Sequence, residues 1–263
     1  MFYTSAQRSK VVYIPKFLSK SEIDSVISIA DNHACNCGVN RRDKNGVPKY
    51  ADYSWKTIYV HTDNLFQRLM PQLFCKIKEK VLVVDKDMDW GLTKNTPMEK
   101  INARTIEVHE GLIDGGLPNF HHFDGRTRAD FFIHFIFIDR RYCVARTFYD
   151  TFYFNIGGSL ITIDIMLSKK GDFEGGDFCT LEADGTLKKN AFDQGDALIF
   201  ISHKKHCVSQ ITRGRRQVLV LEFWEGQEKN CAHRCVERFN DQCKYSLLDS
   251  KFSSVISNIS EDL

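Results

Sequence analysis

Gly195-Asp-Ala-Leu-Ile-Phe200, then His206, then Arg216-Gln-Val-Leu-Val-Leu-Glu-Phe-Trp224, is the stretch on which the fold turns. Ala197 to Ile201 and Gln217 to Trp224 are short, strongly apolar runs bounded by glycine, and both read as strands. Moving outward, Phe178 to Glu182 reads as a strand with Asp184-Gly185 as its hairpin turn. Ser159 to Leu167 is another strand, closed by a Gly175-Gly176 turn. Ile101 to His109 alternates as a strand does, and Gly111 to Pro118 reads as a turn-rich loop. Many strands at short spacing, without helices between them, predict a β-sandwich or jelly roll.

The first hundred residues differ. Val11 to Leu18 predicts a short strand and turn, and Ser19 or Ser21 then caps a helix with Glu22 in its first turn. Ile23, Val26, Ile27 and Ala30 give that helix one apolar face. Asn36 to Tyr53 reads as loop, Ser54 to Val60 as a strand, Leu65 to Leu82 as a second helix and Lys86 to Glu99 as connector. The expected organisation is an N-terminal helix-and-strand support over 1–100, a β core over 101–225 and a cysteine-containing tail over 226–263.

Composition narrows the function classes. The 263 residues are 43% hydrophobic and 27% charged, which excludes disorder as the dominant state. Thirty-six basic against 34 acidic residues give a net charge of +2, so no bulk electrostatic nucleic-acid binder is expected. Phe131 to Ile138 is too short to cross a bilayer, and the first ten residues lack the apolar core of a signal peptide. The chain therefore reads as cytoplasmic with no membrane association, the secretory route staying open if an upstream piece is missing. Of nine cysteines, Cys75, Cys143, Cys179 and Cys207 are scattered and expected to be buried small hydrophobes. Cys35 with Cys37, and Cys231, Cys235 and Cys243, leave disulfides, free thiols or a zinc site with His233 open.

The chemistry centres on His122-Phe-Asp124. In a strand, positions i and i+2 share a face, so His122 and Asp124 can present a nitrogen and an oxygen to one metal. His206, 84 positions on, supplies a third ligand. Two imidazoles and a carboxylate with open positions suit non-haem Fe(II), although zinc hydrolases use the same ligand types. Arg216 follows His206 by ten residues and can pair bidentately with a carboxylate from the next strand. A metal triad beside a carboxylate anchor points to a co-substrate with a distal carboxylate.

On these residues, with Met166-Leu-Ser168, Phe173-Glu-Gly-Gly-Asp177 and Ile14-Pro-Lys-Phe-Leu18, the sequence resembles the 2-oxoglutarate- and Fe(II)-dependent oxygenases of the prolyl-4-hydroxylase-like group over about Val11 to Glu225. The resemblance implies a mainly β fold with flanking helices: a double-stranded β-helix, or jelly roll, on an N-terminal α/β support. It implies His122, Asp124 and His206 as iron ligands and Arg216 as the 2-oxoglutarate anchor, with Arg215 as backup if the register slips by one. Thr162 aligns with a co-substrate contact, His109 reads as a surface or structural histidine with substitution for a family tyrosine as the alternative, and His121 faces away from the metal. Fe(II), 2-oxoglutarate and O₂ are the implied cofactor and co-substrates, with ascorbate as an optional reductant. The implied reaction hydroxylates an unactivated C–H bond, releasing succinate and CO₂, on a prolyl or other side chain of a protein. A small-molecule or free amino-acid hydroxylase, a non-catalytic binding protein derived from the scaffold and a zinc-binding structural protein are the alternatives.

Arg126 to Gly157 interrupts the pattern. Ten of its 32 residues are Phe or Tyr, against 12% aromatic residues in the whole chain, and removing it joins Gly125 to Gly158-Ser159-Leu160. It reads as an inserted hairpin beside the site, in its functional form a lid, or as an intron translated in frame.

Overall fold

A computed structural model describes residues 8–37, 41–42, 48–49, 55–113, 159–209 and 211–226. The elements in chain order are β1 (Val12–Ile14), α1 (Lys20–Cys37), β2 (Arg41–Arg42), β3 (Pro48–Lys49), β4 (Trp55–Tyr59), α2 (Leu65–Leu69), α3 (Pro71–Asp87), β5 (Ile101–Ile113), β6 (Ile161–Met166), β7 (Phe173–Gly175), β8 (Phe178–Leu181), β9 (Leu187–Lys189), β10 (Ala197–Ile201), β11 (His206–Val208) and β12 (Ile211–Glu225).

Ser19 starts α1 with a capping box: its backbone N–H donates to Glu22 Oε2 at 2.7 Å, and its hydroxyl accepts from the Glu22 N–H at 3.3 Å. Two differences from the sequence reading have local causes. The single helix expected over Leu65 to Leu82 is two, because Pro71 forces Met70 out of helical geometry, to φ −132 and ψ 54, and α3 then runs on to Asp87. The loop expected from Gly111 begins later, because Gly111 pairs with both Trp55 and Arg216 and extends β5 to Ile113.

The main sheet runs β1-β10-β6-β12-β5-β4, with β7 also on β12. A smaller sheet runs β11-β8-β9. All these pairs are antiparallel. One face of the main sheet carries Ile161, Ile163, Ile165, Ile199, Leu219 and Leu221, packed in one core with Ile23 and Val26 of α1 and Ile77 and Val81 of α3. Each such buried side chain contributes about 1.5–3 kcal/mol. The other face carries Met166, Leu198, Phe200, Val218 and Val220, packed with Phe178 and Phe192 in a second core. Phe178 comes from the smaller sheet, so this second core lies between the two sheets. β6 is consequently buried along its whole length. A register shift at Glu222/Phe223 keeps Phe223 opposite Ala103, both buried in the first core.

Asp196 ties the N-terminal segment to the core. Its carboxylate accepts from Tyr13 Oη, the Lys16 N–H and the Asp193 N–H, each at 2.8 Å. Gly195 adopts φ +85, and a Cβ there would lie 2.7 Å from the Leu18 carbonyl oxygen. Ser168 stitches β6 to β12, accepting from the Gln217 N–H at 2.7 Å and donating to the Arg215 carbonyl at 3.2 Å. Cys179 and Cys207 are buried as expected, whereas Cys75 is exposed, because it lies on the solvent side of α3 between the buried Phe74 and the half-exposed Lys76. Among the described residues no helix is long and apolar enough to cross a membrane.

Candidate active site

β11 places His206 opposite Thr180 of β8. Its ring packs against Phe200 and Phe178, with centroids 5.1 and 5.4 Å away, so the imidazole borders the core between the sheets. Nδ1 lies 2.8 Å from the Lys204 carbonyl oxygen. A carbonyl only accepts, so Nδ1 carries the proton and Nε2 the lone pair. That is the tautomer a ligating histidine needs.

Arg216 lies on the same inner face of β12 as Val218 and Val220, and only 2% of it is exposed. Its guanidinium sits 5.9 Å from the Phe173 ring centroid and 6.0 Å from that of Phe192. The Gly175-Gly176 turn, at φ +75 and +67, folds over it closely, and a Cβ on Gly176 would stand 2.6 Å from Arg216 Cδ. Among the described residues no carboxylate reaches ion-pair distance, and Nε has no hydrogen-bond partner. Burial lowers the guanidinium's pKa to about 10, with Asp164 and Asp177 opposing the fall, so the group stays charged at neutral pH. Arg215 points the other way, to Asp31 of α1 at 3.3 Å, with its side chain 42% exposed. Strand alternation therefore puts Arg216, not Arg215, inside.

No protein-family model and no curated protein matches the sequence. Solved structures do. A prolyl hydroxylase from Trichoplax adhaerens, solved in complex with a hypoxia inducible factor oxygen degradation domain peptide fragment, aligns at TM-score 0.52 and 15% identity over 86% of this chain and 88% of that one. The fold is the oxygenase jelly roll. Further alignments are to a Pseudomonas putida prolyl-4-hydroxylase (TM-score 0.49, 12% identity, 86% of this chain and 100% of that one) and to a viral collagen prolyl hydroxylase from Paramecium Bursaria Chlorella virus-1 (TM-score 0.45, 15% identity, 82% and 96%).

Within the jelly roll the other expected residues fall as follows. His122 and Asp124, with His121 and the segment 126–157, lie outside the described residues. Among the described residues no three His, Cys, Asp or Glu side chains are grouped to hold a metal. Thr162 is buried on the inner face, but its hydroxyl is 2.8 Å from Ser202 Oγ, which is 2.7 Å from Ser159 Oγ. Thr162 pairs with Glu222, six residues from Arg216, or about 20 Å along the strand. The structure does not bring these two together on one carboxylate. His109 is opposite Val218, which places it on the inner face near Arg216.

Sequence reading missed Asp164 and Glu222. Both are over nine-tenths buried on the inner face, opposite Val220 and Thr162 respectively. The signal was available: in Ile161-Thr-Ile-Asp-Ile165 the isoleucines form one face, so Thr162 and Asp164 share the other.

Among the described residues, His206 suits a metal and Arg216 suits the carboxylate of 2-oxoglutarate. His206 is held in a ligating tautomer, and Arg216 is a buried cation with no anion at ion-pair distance among the described residues.

Proposed function

We propose that this chain is an Fe(II)- and 2-oxoglutarate-dependent oxygenase that hydroxylates an unactivated C–H bond, with a prolyl side chain of a protein as the favoured substrate. The observation that carries the reading is the buried Arg216, with no carboxylate at ion-pair distance among the described residues, on the inner face of an oxygenase jelly roll that also orients His206. The peptide bound in the Trichoplax prolyl hydroxylase structure supports a protein substrate.

In this reading His122, Asp124 and His206 hold the iron. When bound, iron supplies activation of O₂ with oxidative decarboxylation of the co-substrate to succinate and CO₂. Arg216 binds the distal carboxylate of 2-oxoglutarate, and Phe173 and Phe192 keep water from that ion pair, strengthening it. The Lys204 carbonyl keeps the proton on His206 Nδ1. Thr162 lines the opposite end of the inner face. Ascorbate enters as the reductant expected of such enzymes.

The test is an anaerobic titration of apo-protein with Fe(II) and 2-oxoglutarate, followed by the visible iron-to-2-oxoglutarate charge-transfer band. The band is expected in the wild type, absent in Asp124→Ala and weakened in Arg216→Ala. A folded protein that gives no band refutes the reading. Proline-containing peptides that gain one oxygen atom by mass spectrometry, with stoichiometric succinate, would establish the substrate class.

A further inference from the structure

Lys204 is the one fully buried cation among the described residues besides Arg216, and the proposed chemistry uses its backbone carbonyl but gives its ammonium no task. Its ammonium donates to the Ser9 carbonyl at 2.8 Å and to Glu182 Oε2 at 3.0 Å. Glu182 Oε1 accepts from Thr180 Oγ1 at 2.7 Å, and Thr180 Oγ1 in turn accepts from Asn190 Nδ2 at 2.9 Å. Thr180 is the cross-strand partner of His206. The Lys204 N–H closes the turn on the Ile201 carbonyl at 2.8 Å, and the Lys204 carbonyl holds His206 Nδ1. One residue thus anchors His206 from the N-terminal segment, from the end of β8 and from the turn leading into β11.

Burying an ammonium costs several kcal/mol unless it is well paired, and an apolar residue of the same size usually serves stability as well or better. What the ammonium adds is position. It reaches Ser9 and Glu182 together, and that helps fix the peptide whose carbonyl orients the imidazole. We propose that Lys204, braced by Glu182, is a positioning residue that sets the tautomer and ring orientation of His206. This inference deepens the proposed function and rests on its reading of His206 as a ligand. Partners of ligating histidines typically govern metal affinity by 10–100-fold.

The test compares wild type, Lys204→Met, Glu182→Gln and Asp196→Asn. Asp196 is an equally buried tie that does not touch His206. Imidazole ¹⁵N shifts of metal-free, ¹⁵N-histidine-labelled protein, with His206 assigned through His206→Gln, read the tautomer directly. The expected result is a single Nδ1–H form in wild type and Asp196→Asn, and a tautomer mixture in both Lys204→Met and Glu182→Gln. Co(II) affinity should fall about tenfold in the latter two and stay unchanged in Asp196→Asn, whatever the loss of melting temperature. Wild-type tautomer populations in Lys204→Met and Glu182→Gln overturn the inference. If Lys204→Met does not fold, Glu182→Gln decides alone. Because the tautomer is read without metal, a wild type that binds no Co(II) would sink the oxygenase reading while the positioning of His206 is still decided.

Discussion

Arg216→Met should stabilise the metal-free protein while abolishing its response to 2-oxoglutarate. Burial takes the guanidinium from its ordinary value above 12 to about 10. At 1.36 kcal/mol per pH unit, holding the charge inside costs about 3 kcal/mol. Methionine can take the guanidinium's place beside Phe173 and Phe192 without that cost. It forfeits two cation–π contacts of about 0.5–1 kcal/mol each. The net gain is about 1–2 kcal/mol, which at roughly 2–4 °C per kcal/mol raises the melting temperature by about 2–8 °C. Differential scanning fluorimetry of apo-protein checks this, and a repeat with Mn(II) and 2-oxoglutarate checks the second half. Wild type should gain about 2.7 kcal/mol at a hundredfold excess of co-substrate over its Kd, and the variant close to none. An Arg216→Met protein that melts lower than wild type and still responds fully to 2-oxoglutarate would refute the reasoning, because the guanidinium would then be neither strained nor the anchor.

Three other changes test the frame around the site. Gly176→Ala places a methyl 2.6 Å from Arg216 Cδ at a positive φ, so 2-oxoglutarate affinity should drop and stability should fall by about 1–3 kcal/mol, read by calorimetry and by urea midpoint. Asp196→Ala removes three hydrogen bonds, two of them to the N-terminal segment, and should cost about 3 kcal/mol, with limited proteolysis cutting first near residues 8–18. Burial pushes the Glu22 carboxyl up, but Lys76 and the Ser19 N–H and hydroxyl outweigh it and hold the group below its ordinary value. Its stabilising effect is therefore complete above about pH 4.3 and lost as pH falls through the lower folded value. Glu22→Gln should flatten the acid limb of a stability-against-pH curve.

The strands around Ala197 to Ile201 and Gln217 to Trp224 were legible because their apolar runs are short, β-branched and bounded by glycine. The helix over Lys20 to Cys37 was legible from its cap and its 3.6-residue apolar period. Ends were less so. β5 swallows Gly111 because two neighbouring strands offer it ladder partners, which no local signal announces. The Gly195-Asp196 pair was conspicuous in the sequence as a motif, yet its task is to hold Tyr13 and Lys16, more than 175 positions away.

The site divides in the same way. Residue type and spacing nominated the groups for the proposed chemistry: His122, Asp124 and His206 for a metal, Arg216 for a carboxylate. Tertiary structure decided what surrounds them. Strand alternation separates Arg215 from Arg216, but only the sheet packed over β12 shows which of the two lies in the dry interior. Alternation along β6 would ordinarily send Thr162 and Asp164 to solvent. A second sheet covers that face, so the polar residues are buried between the two sheets. Lys204 is a surface residue by composition and a fully buried one in the fold, because its partners, Ser9 and Glu182, come from distant parts of the chain. Periodicity records which side chains share a face. What covers that face is set by long-range pairing, which a local pattern does not encode.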